Sequence, residues 1–170
     1  MANRLGQVLI NCGVLTEKQV DSVLTMQQEC GKPFGVLCER MFSINPEQIE
    51  EAWAMQYAGL TRTIDPSTES FDVEALGLIT RRQAWQFRVL PIRFDDGDLI
   101  LATTAQHIRR ALRFATNVIT VPVFLVLAEP LALGAALCKH YSLPGMTAKS
   151  VLDNDFERML ATHGAKKLKV

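Results

Sequence analysis

Two glycines and two glutamines in the first third of the chain recur at one spacing. Gly6 is matched by Gly35 and Gln27 by Gln56, each 29 residues on. These residue types neither attack nor carry protons, so their repetition points to one ligand shared by two copies of a unit rather than to catalysis. The rest of the chain offers no competing chemistry. His107, His140 and His163 are scattered without metal-ligand spacing. Glu50–Glu51 and Asp95–Asp96 read as exposed helix and turn charges, not a catalytic pair. There is no nucleophile motif and no GxxxxGK[ST], so ATP hydrolysis cannot reside in this chain.

The elements that must hold these residues repeat with them. At the same offset Leu9 falls on Cys38, Leu15 on Ile44, Val20 on Ile49 and Leu24 on Trp53. A repeat of this kind has to be explained first, because missing it misassigns the fold. In the first copy Asn3 caps a short helix, Arg4–Asn11, and Gly13 follows where a helix end favours a left-handed residue. Thr16 with Gln19 forms a capping box for a second helix that Gly31 ends. In the second copy Pro33 opens the short helix, and Asn45, Pro46 and Gln48 start the long one. Each pair leaves an apolar stripe that one copy cannot bury alone, so the two copies are expected to pack as a four-helix unit over residues 1–57.

Beyond it, 58–72 is punctuated by Gly59, Thr61, Thr63, Asp65, Pro66 and Ser67 and reads as an ordered linker with one extended piece near Leu60–Ile64. Asp72 and Thr80 cap short helices. Arg88–Phe94 and Leu99–Thr103 flank Asp95-Asp96-Gly97-Asp98, a hairpin signal. A helix over Gln106–Ala115, a β-branched strand over Ile119–Leu127 and a helix over Pro130–Tyr141 complete the pattern. The expected fold class is α+β: a four-helix tandem-repeat unit, then a small α-β-β-α-β-α sandwich over 73–145 that ends at Leu143-Pro144-Gly145. Residues 146–170 are expected to hold an amphipathic helix (150–161) and a frayed basic tail.

The chain is 48% hydrophobic and 21% charged, with 18 basic and 18 acidic residues. It is therefore globular, and a neutral balance argues against a DNA or RNA binder without excluding one small anionic ligand. Cys12, Cys30, Cys38 and Cys138 form no CxxC and read as buried or half-buried free thiols of a reducing compartment. Trp53 and Trp85 read as core aromatics. No secretory leader is evident, and the apolar stretch 118–137 is interrupted by Thr120, Pro122, Glu129 and Pro130, so it is no membrane span.

The first copy, Arg4-Leu5-Gly6 through Leu9, Gly13, Leu15, Val20, Leu24 and Gln27, resembles the signature RLGxxLxxxGxLxxxxLxxxLxxQ of MshEN-type domains. These are N-terminal domains of type II secretion and type IV pilus assembly ATPases, and they also stand at the C-terminus of membrane glycosyltransferases of polysaccharide pathways. In that family two signatures are separated by five residues, as Gln28–Lys32 separates the copies here. The segment FRVLPIRFDDGDLILATT resembles the family's following hairpin. What the resemblance implies is non-catalytic, regulatory binding of cyclic di-GMP, with no other cofactor and no metal. Its residues would be Arg4, Leu5, Gly6, Gly13, Leu24 and Gln27 from the first copy, and Phe34, Gly35 and Gln56 from the second. Arg can stack on a guanine or fork onto its O6/N7 edge. Glycines would let backbone N–H groups approach a phosphate, and Gln can donate and accept at a base or ribose.

The second copy departs from the signature. Pro33 stands where the family has Arg, Phe34 where it has Leu, and Phe42 where it has the second Gly. Loss of one forked or stacked Arg costs about 1–3 kcal/mol, and Lys32 next to the gap would compensate in part. A Phe at positive φ would add roughly 1 kcal/mol of strain unless the loop relaxes. The expected partners are cyclic di-GMP and an effector domain or membrane platform of a secretion, pilus or polysaccharide system, with a homodimer also open. The expected location is cytoplasmic, peripheral to the bacterial inner membrane. A docking domain that has lost its nucleotide stands as the alternative. If Val170 is a natural terminus, a C-terminal regulatory position is the more natural context.

Overall fold

The computed structural model describes residues 4–152. The chain divides into two compact units, one ending at Leu60 and the other beginning at Thr61. The fold is mixed, with helices throughout and one four-stranded sheet.

The first unit is helical: α1 (Leu5–Asn11), α2 (Glu17–Cys30), α3 (Phe34–Phe42) and α4 (Pro46–Leu60). Local chemistry sets the boundaries. The Thr16 N–H donates to Gln19 Oε1 at 2.8 Å, and Thr16 Oγ1 accepts from the Gln19 N–H at 3.4 Å, which closes the capping box. At α4, Asn45 Oδ1 accepts from Glu47 N–H at 3.0 Å and Gln48 Oε1 from Asn45 N–H at 3.3 Å. Asn3, the expected cap of α1, lies outside the described residues.

The core of this unit obeys the same 29-residue offset as the sequence. Val8 and Leu37, Leu9 and Cys38, Val23 and Ala52 are matched positions, and all six are buried. Gly6 and Gly35 hold matched contacts too. A Cβ on Gly6 would lie 2.8 Å from Val20 Cγ1, and one on Gly35 would lie 2.9 Å from Ile49 Cγ2. At these two points α1 meets α2 and α3 meets α4 too closely to admit a Cβ unless the neighbouring side chain moves.

Two expectations for this unit need correction. Phe42 does not carry the left-handed turn. α3 runs through Phe42, and Ser43 takes φ 52° in its place, whereas the first copy turns at Gly13 with φ 69°. The loop has moved the strained residue one position on, to a small polar side chain, and kept the Phe42 ring against the core. Trp53 is not a core residue. It is 44% exposed and packs against Tyr57, with ring centroids 5.8 Å apart.

The second unit begins inside the segment read as a linker. β1 (Thr63–Ile64) pairs in parallel with β4 (Val123–Ala128), so residues 61–64 are sheet edge rather than connection. A 3-10 turn at Pro66–Thr68 leads to α5 (Val73–Leu76) and α6 (Arg81–Phe87), the latter with a second capping box, Thr80 with Gln83. The Asp72 carboxylate does not cap α5 but accepts from the Phe94 N–H at 3.0 Å, while the Asp72 N–H donates to the Ile92 carbonyl at 2.9 Å. Arg93 adds an ion pair to Glu69, so this segment is bound along β2 (Leu90–Asp95).

β2 and β3 (Asp98–Thr103) form the expected hairpin, with Asp96 at φ 49° and Gly97 at φ 90° in the turn. Positive φ at both positions is what a two-residue Asp-Gly hairpin requires. Arg88 is not in the strand. It ends α6 in the left-handed region at φ 52°, and the strand starts at Leu90. α7 (Ile108–Val118) crosses from β3 to the parallel β4, giving the sheet order β1-β4-β3-β2. β4 starts at Val123 rather than at Ile119. α8 (Pro130–His140) follows as expected.

This unit does not end at Gly145. A further 3-10 turn, Ala148–Val151, lies on α8, where a Cβ on Gly134 would stand 2.1 Å from the Ala148 carbonyl oxygen, and Val151 is fully buried. The remainder of the expected helix over 150–161 and the basic tail lie outside the described residues. At the heart of the unit Trp85 is fully buried. Its indole N–H donates to the Tyr141 carbonyl at 2.8 Å, and the Tyr141 hydroxyl donates to the Leu76 carbonyl at 2.6 Å.

Candidate functional site

The residues expected to bind a ligand fall into three environments in the first unit. Gly6, Leu5 and Phe34 are packing residues. Leu5 and Phe34 are half-buried against the core, and a Cβ on Gly6 would also come within 3.4 Å of the Phe34 ring. Gly35 makes the equivalent contact with Ile49. Gly13 is at the surface, with open space around it and positive φ, so its function is the turn itself. The glycines thus have a sufficient structural reason to be present, independent of any ligand.

Arg4, Leu24 and Lys32 are exposed, and Gln27 and Gln56 are half-buried. Arg4 precedes α1 in extended backbone, its carbonyl accepting from the Gln7 and Val8 N–H groups, and so its side chain leaves from the mouth of that helix. Gln27 and Lys32 are brought together: the Gln27 amide donates to the Lys32 carbonyl at 3.2 Å and closes the connection from α2 to α3. The amide oxygen of Gln27 keeps its accepting capacity.

One feature escaped the sequence reading. Leu24 and Trp53 occupy matched positions and are 41% and 44% exposed. Each stands three residues before a matched glutamine, which on a helix is one turn away on the same face. The exposure of Trp53 is therefore shared by Leu24, 29 residues before it. Met26 and Met55 are also matched, and both are exposed.

Cysteine chemistry does not compete for the role. Cys38 is buried, and burial pushes its thiol up to about 11, so it is no nucleophile at neutral pH. Cys138 is half-buried, but Cys12 and Cys30 are exposed, contrary to expectation. They stand at the C-terminal ends of α1 and α2, where the apolar stripe has turned away from the core; Cys12 Sγ lies 3.8 Å from Met55 Sδ. Among the described residues no cluster of His, Cys, Asp and Glu is placed to hold a metal ion, and no helix is long and apolar enough to cross a membrane.

A second constellation, also missed by sequence reading, lies in the second unit. Phe87, Gln106, His107, Arg109, Arg110 and Arg113 line a cavity of about 490 Å³. The signal was available as three arginines within five residues of a predicted helix, but the cavity exists only because α6 brings Phe87 to α7, where it stacks on Phe114 at 4.4 Å. His107 is buried, and its Nδ1 lies 2.7 Å from Thr104 Oγ1. Burial first, then the charges of Arg88 and Arg110, lower its pKa from 6.5 to about 4. The neutral ring is favoured in the folded state, so stability is complete above pH 6.5 and is lost as pH falls toward 4. Between pH 7 and pH 5 this contributes on the order of 2 kcal/mol. His107→Gln, which does not titrate, should flatten that part of the urea-denaturation pH profile; an unchanged slope would contradict the assignment.

A family model, the MshEN domain, matches residues 53–147. That is more than half of the chain, and it spans the end of α4 and nearly all of the described second unit, leaving Arg4–Ala52 outside it. No curated protein matches the chain. Among solved structures, the chain is similar to MshE with cdg, at 22% identity over 81% of this chain and 99% of that one, with a TM-score of 0.45. It is also similar to the N-terminal domain of XpsE, at 18% identity over 81% and 93% of the two chains, with a TM-score of 0.42. On the family match over residues 53–147, the chain belongs to the MshEN domain family.

Proposed function

We propose that the chain is a non-catalytic regulatory domain that binds cyclic di-GMP through its two copies, Arg4–Gln27 and Pro33–Gln56, and so controls an attached or partner effector. The observation that carries the reading is the matched pair of surfaces. Leu24 with Gln27 and Trp53 with Gln56 repeat a large exposed apolar side chain beside a half-buried amide, on helices whose buried positions also repeat. We read the matched exposed side chains as a binding face, with an amide one turn away to give direction to a base or ribose. Arg4 supplies the cation in the first copy. In the second, Lys32 is the nearest cation to Pro33 and carries no fork, so the first copy does most of the polar recognition and the second supplies shape. Binding regulates only if the two states of the domain differ in affinity for the ligand.

Trp53 tests this directly. It is the exposed tryptophan, while Trp85 is fully buried. Saturating cyclic di-GMP should shift and quench tryptophan emission, and Trp53→Phe should abolish the change. Unchanged emission in a chain that calorimetry shows to be saturated would remove the second copy from the site.

A second reading is a protein-docking domain on a secretion, pilus or polysaccharide platform. The exposed, matched Met26 and Met55 favour it, because methionine adapts to apolar partner surfaces. Partner capture without nucleotide, lost in the Met26→Ser/Met55→Ser variant and indifferent to Arg4→Ala, would select it.

A further inference from the structure

We propose that the cavity at the start of α7 is a binding pocket for a small phosphorylated ligand that carries a flat ring, separate from the face that holds Leu24, Gln27, Trp53 and Gln56. The inference stands on residues of the second unit alone and does not rest on cyclic di-GMP binding.

Arg109, Arg110 and Arg113 are three of the six residues lining the cavity, and none of the described lining residues is acidic. A guanidinium presents a rigid fork of donors that matches phosphate oxygens two at a time. The volume, about 490 Å³, lies within the range of small-molecule sites. Arg110 donates to the Gln86 carbonyl at 3.2 Å, and all three arginines also make other contacts within the chain.

The neutral side chains complete the chemistry. Thr104 Oγ1 accepts the His107 N–H at 3.2 Å and lies 2.7 Å from Nδ1. A neutral imidazole carries one N–H and can donate it to a phosphate oxygen. Burial lowers the His107 pKa most, and the charges of Arg88 and Arg110 lower it further, so the neutral ring sits beside cationic groups. Phe87 is braced by Phe114 behind it, 4.4 Å away and inclined by 21°, and gives the cavity a flat apolar wall on which a ring can lie. Phosphate donors beside an aromatic wall fit a mononucleotide better than a bare anion.

The test is calorimetric titration of the full chain with GTP, inorganic pyrophosphate and guanosine. GTP and pyrophosphate should bind, more weakly as salt rises from about 50 to 500 mM, and guanosine should not. Arg109→Ala/Arg113→Ala should lower GTP affinity by about tenfold or more, with circular dichroism reporting an intact fold. Phe87→Leu should weaken GTP while leaving pyrophosphate unchanged. Pyrophosphate affinity equal to that of GTP would overturn the ring-binding wall. No heat from either anion at about 1 mM, or equal affinity in wild type and the double arginine variant, would overturn the site. Competition by an acidic peptide but by no phosphate would overturn it in favour of a protein partner.

Discussion

Replacing Trp85 with alanine is expected to cost about 3–5 kcal/mol, the range for emptying a fully buried aromatic site. Trp85 has no exposed surface, so the whole indole volume would become cavity. The substitution also removes the N–H that meets the Tyr141 carbonyl at 2.8 Å, and Tyr141 itself reaches on to the Leu76 carbonyl. One side chain therefore connects α6 to the end of α8 and, through Tyr141, to α5. A small domain is stable by roughly 5–15 kcal/mol, so the second unit would be left close to its unfolding threshold. Urea denaturation followed by circular dichroism measures the effect. Trp53→Ala is the control: an exposed tryptophan should cost no more than about 1 kcal/mol. Equal losses in the two variants would contradict the burial assigned to Trp85.

The second large effect is on affinity. Arg4→Ala should weaken cyclic di-GMP binding by roughly 5- to 150-fold, corresponding to loss of about 1–3 kcal/mol from a forked or stacked guanidinium. Arg4 is exposed at the mouth of α1, and its backbone, rather than its side chain, starts the helix through the Gln7 and Val8 N–H groups. Its removal should therefore leave stability within about 0.5 kcal/mol, as for other surface changes, and the affinity loss can be read as a loss of recognition. Gly6→Ala would not give so clean a result. Its Cβ would press on Val20, and any change in binding would be mixed with helix displacement.

Features encoded by neighbouring residues were legible in the sequence. The capping box at Thr16–Gln19, the Thr80 cap and the Asp96-Gly97 turn satisfy their own hydrogen bonds or dihedrals within a few residues, and all are present. The 29-residue offset was legible because a buried helix face must repeat apolar side chains, as Val8 with Leu37 and Leu9 with Cys38 do. What depends on distant contact was not. The extended piece expected near Leu60–Ile64 is present as β1, but its pairing was not legible: β1 has two residues and is a strand only because Leu127 and Ala128 arrive beside it. The Ala148–Val151 turn was placed outside the sandwich, with Val151 in a separate helix, because what it rests on is Gly134, a residue without a side chain on another element.

The candidate site divides the same way. Residue types at matched positions pointed to Gln27 and Gln56 as groups that can recognise a ligand, and the family resemblance added Arg4. Core packing accounts for Gly6, Gly35, Leu5 and Phe34 and leaves Arg4, Gln27 and Gln56 as the polar groups at the surface or half-buried. The family resemblance assigned Leu24 to the ligand while Trp53 read as core, because hydrophobic type alone does not distinguish a buried face from a binding face. The arginine-lined cavity was hidden for a further reason: Arg109, Arg110 and Arg113 are ordinary helix charges until α6 brings Phe87 beside them.

Calorimetric titration of the full chain with cyclic di-GMP, beside cyclic di-AMP, tests the central claim most directly. Saturable heat with cyclic di-GMP, much weaker heat with cyclic di-AMP, and a loss of affinity in Arg4→Ala but not in Arg109→Ala/Arg113→Ala is the predicted result. No heat and no thermal shift with cyclic di-GMP up to about 1 mM, or binding that Arg4→Ala leaves intact, would contradict it.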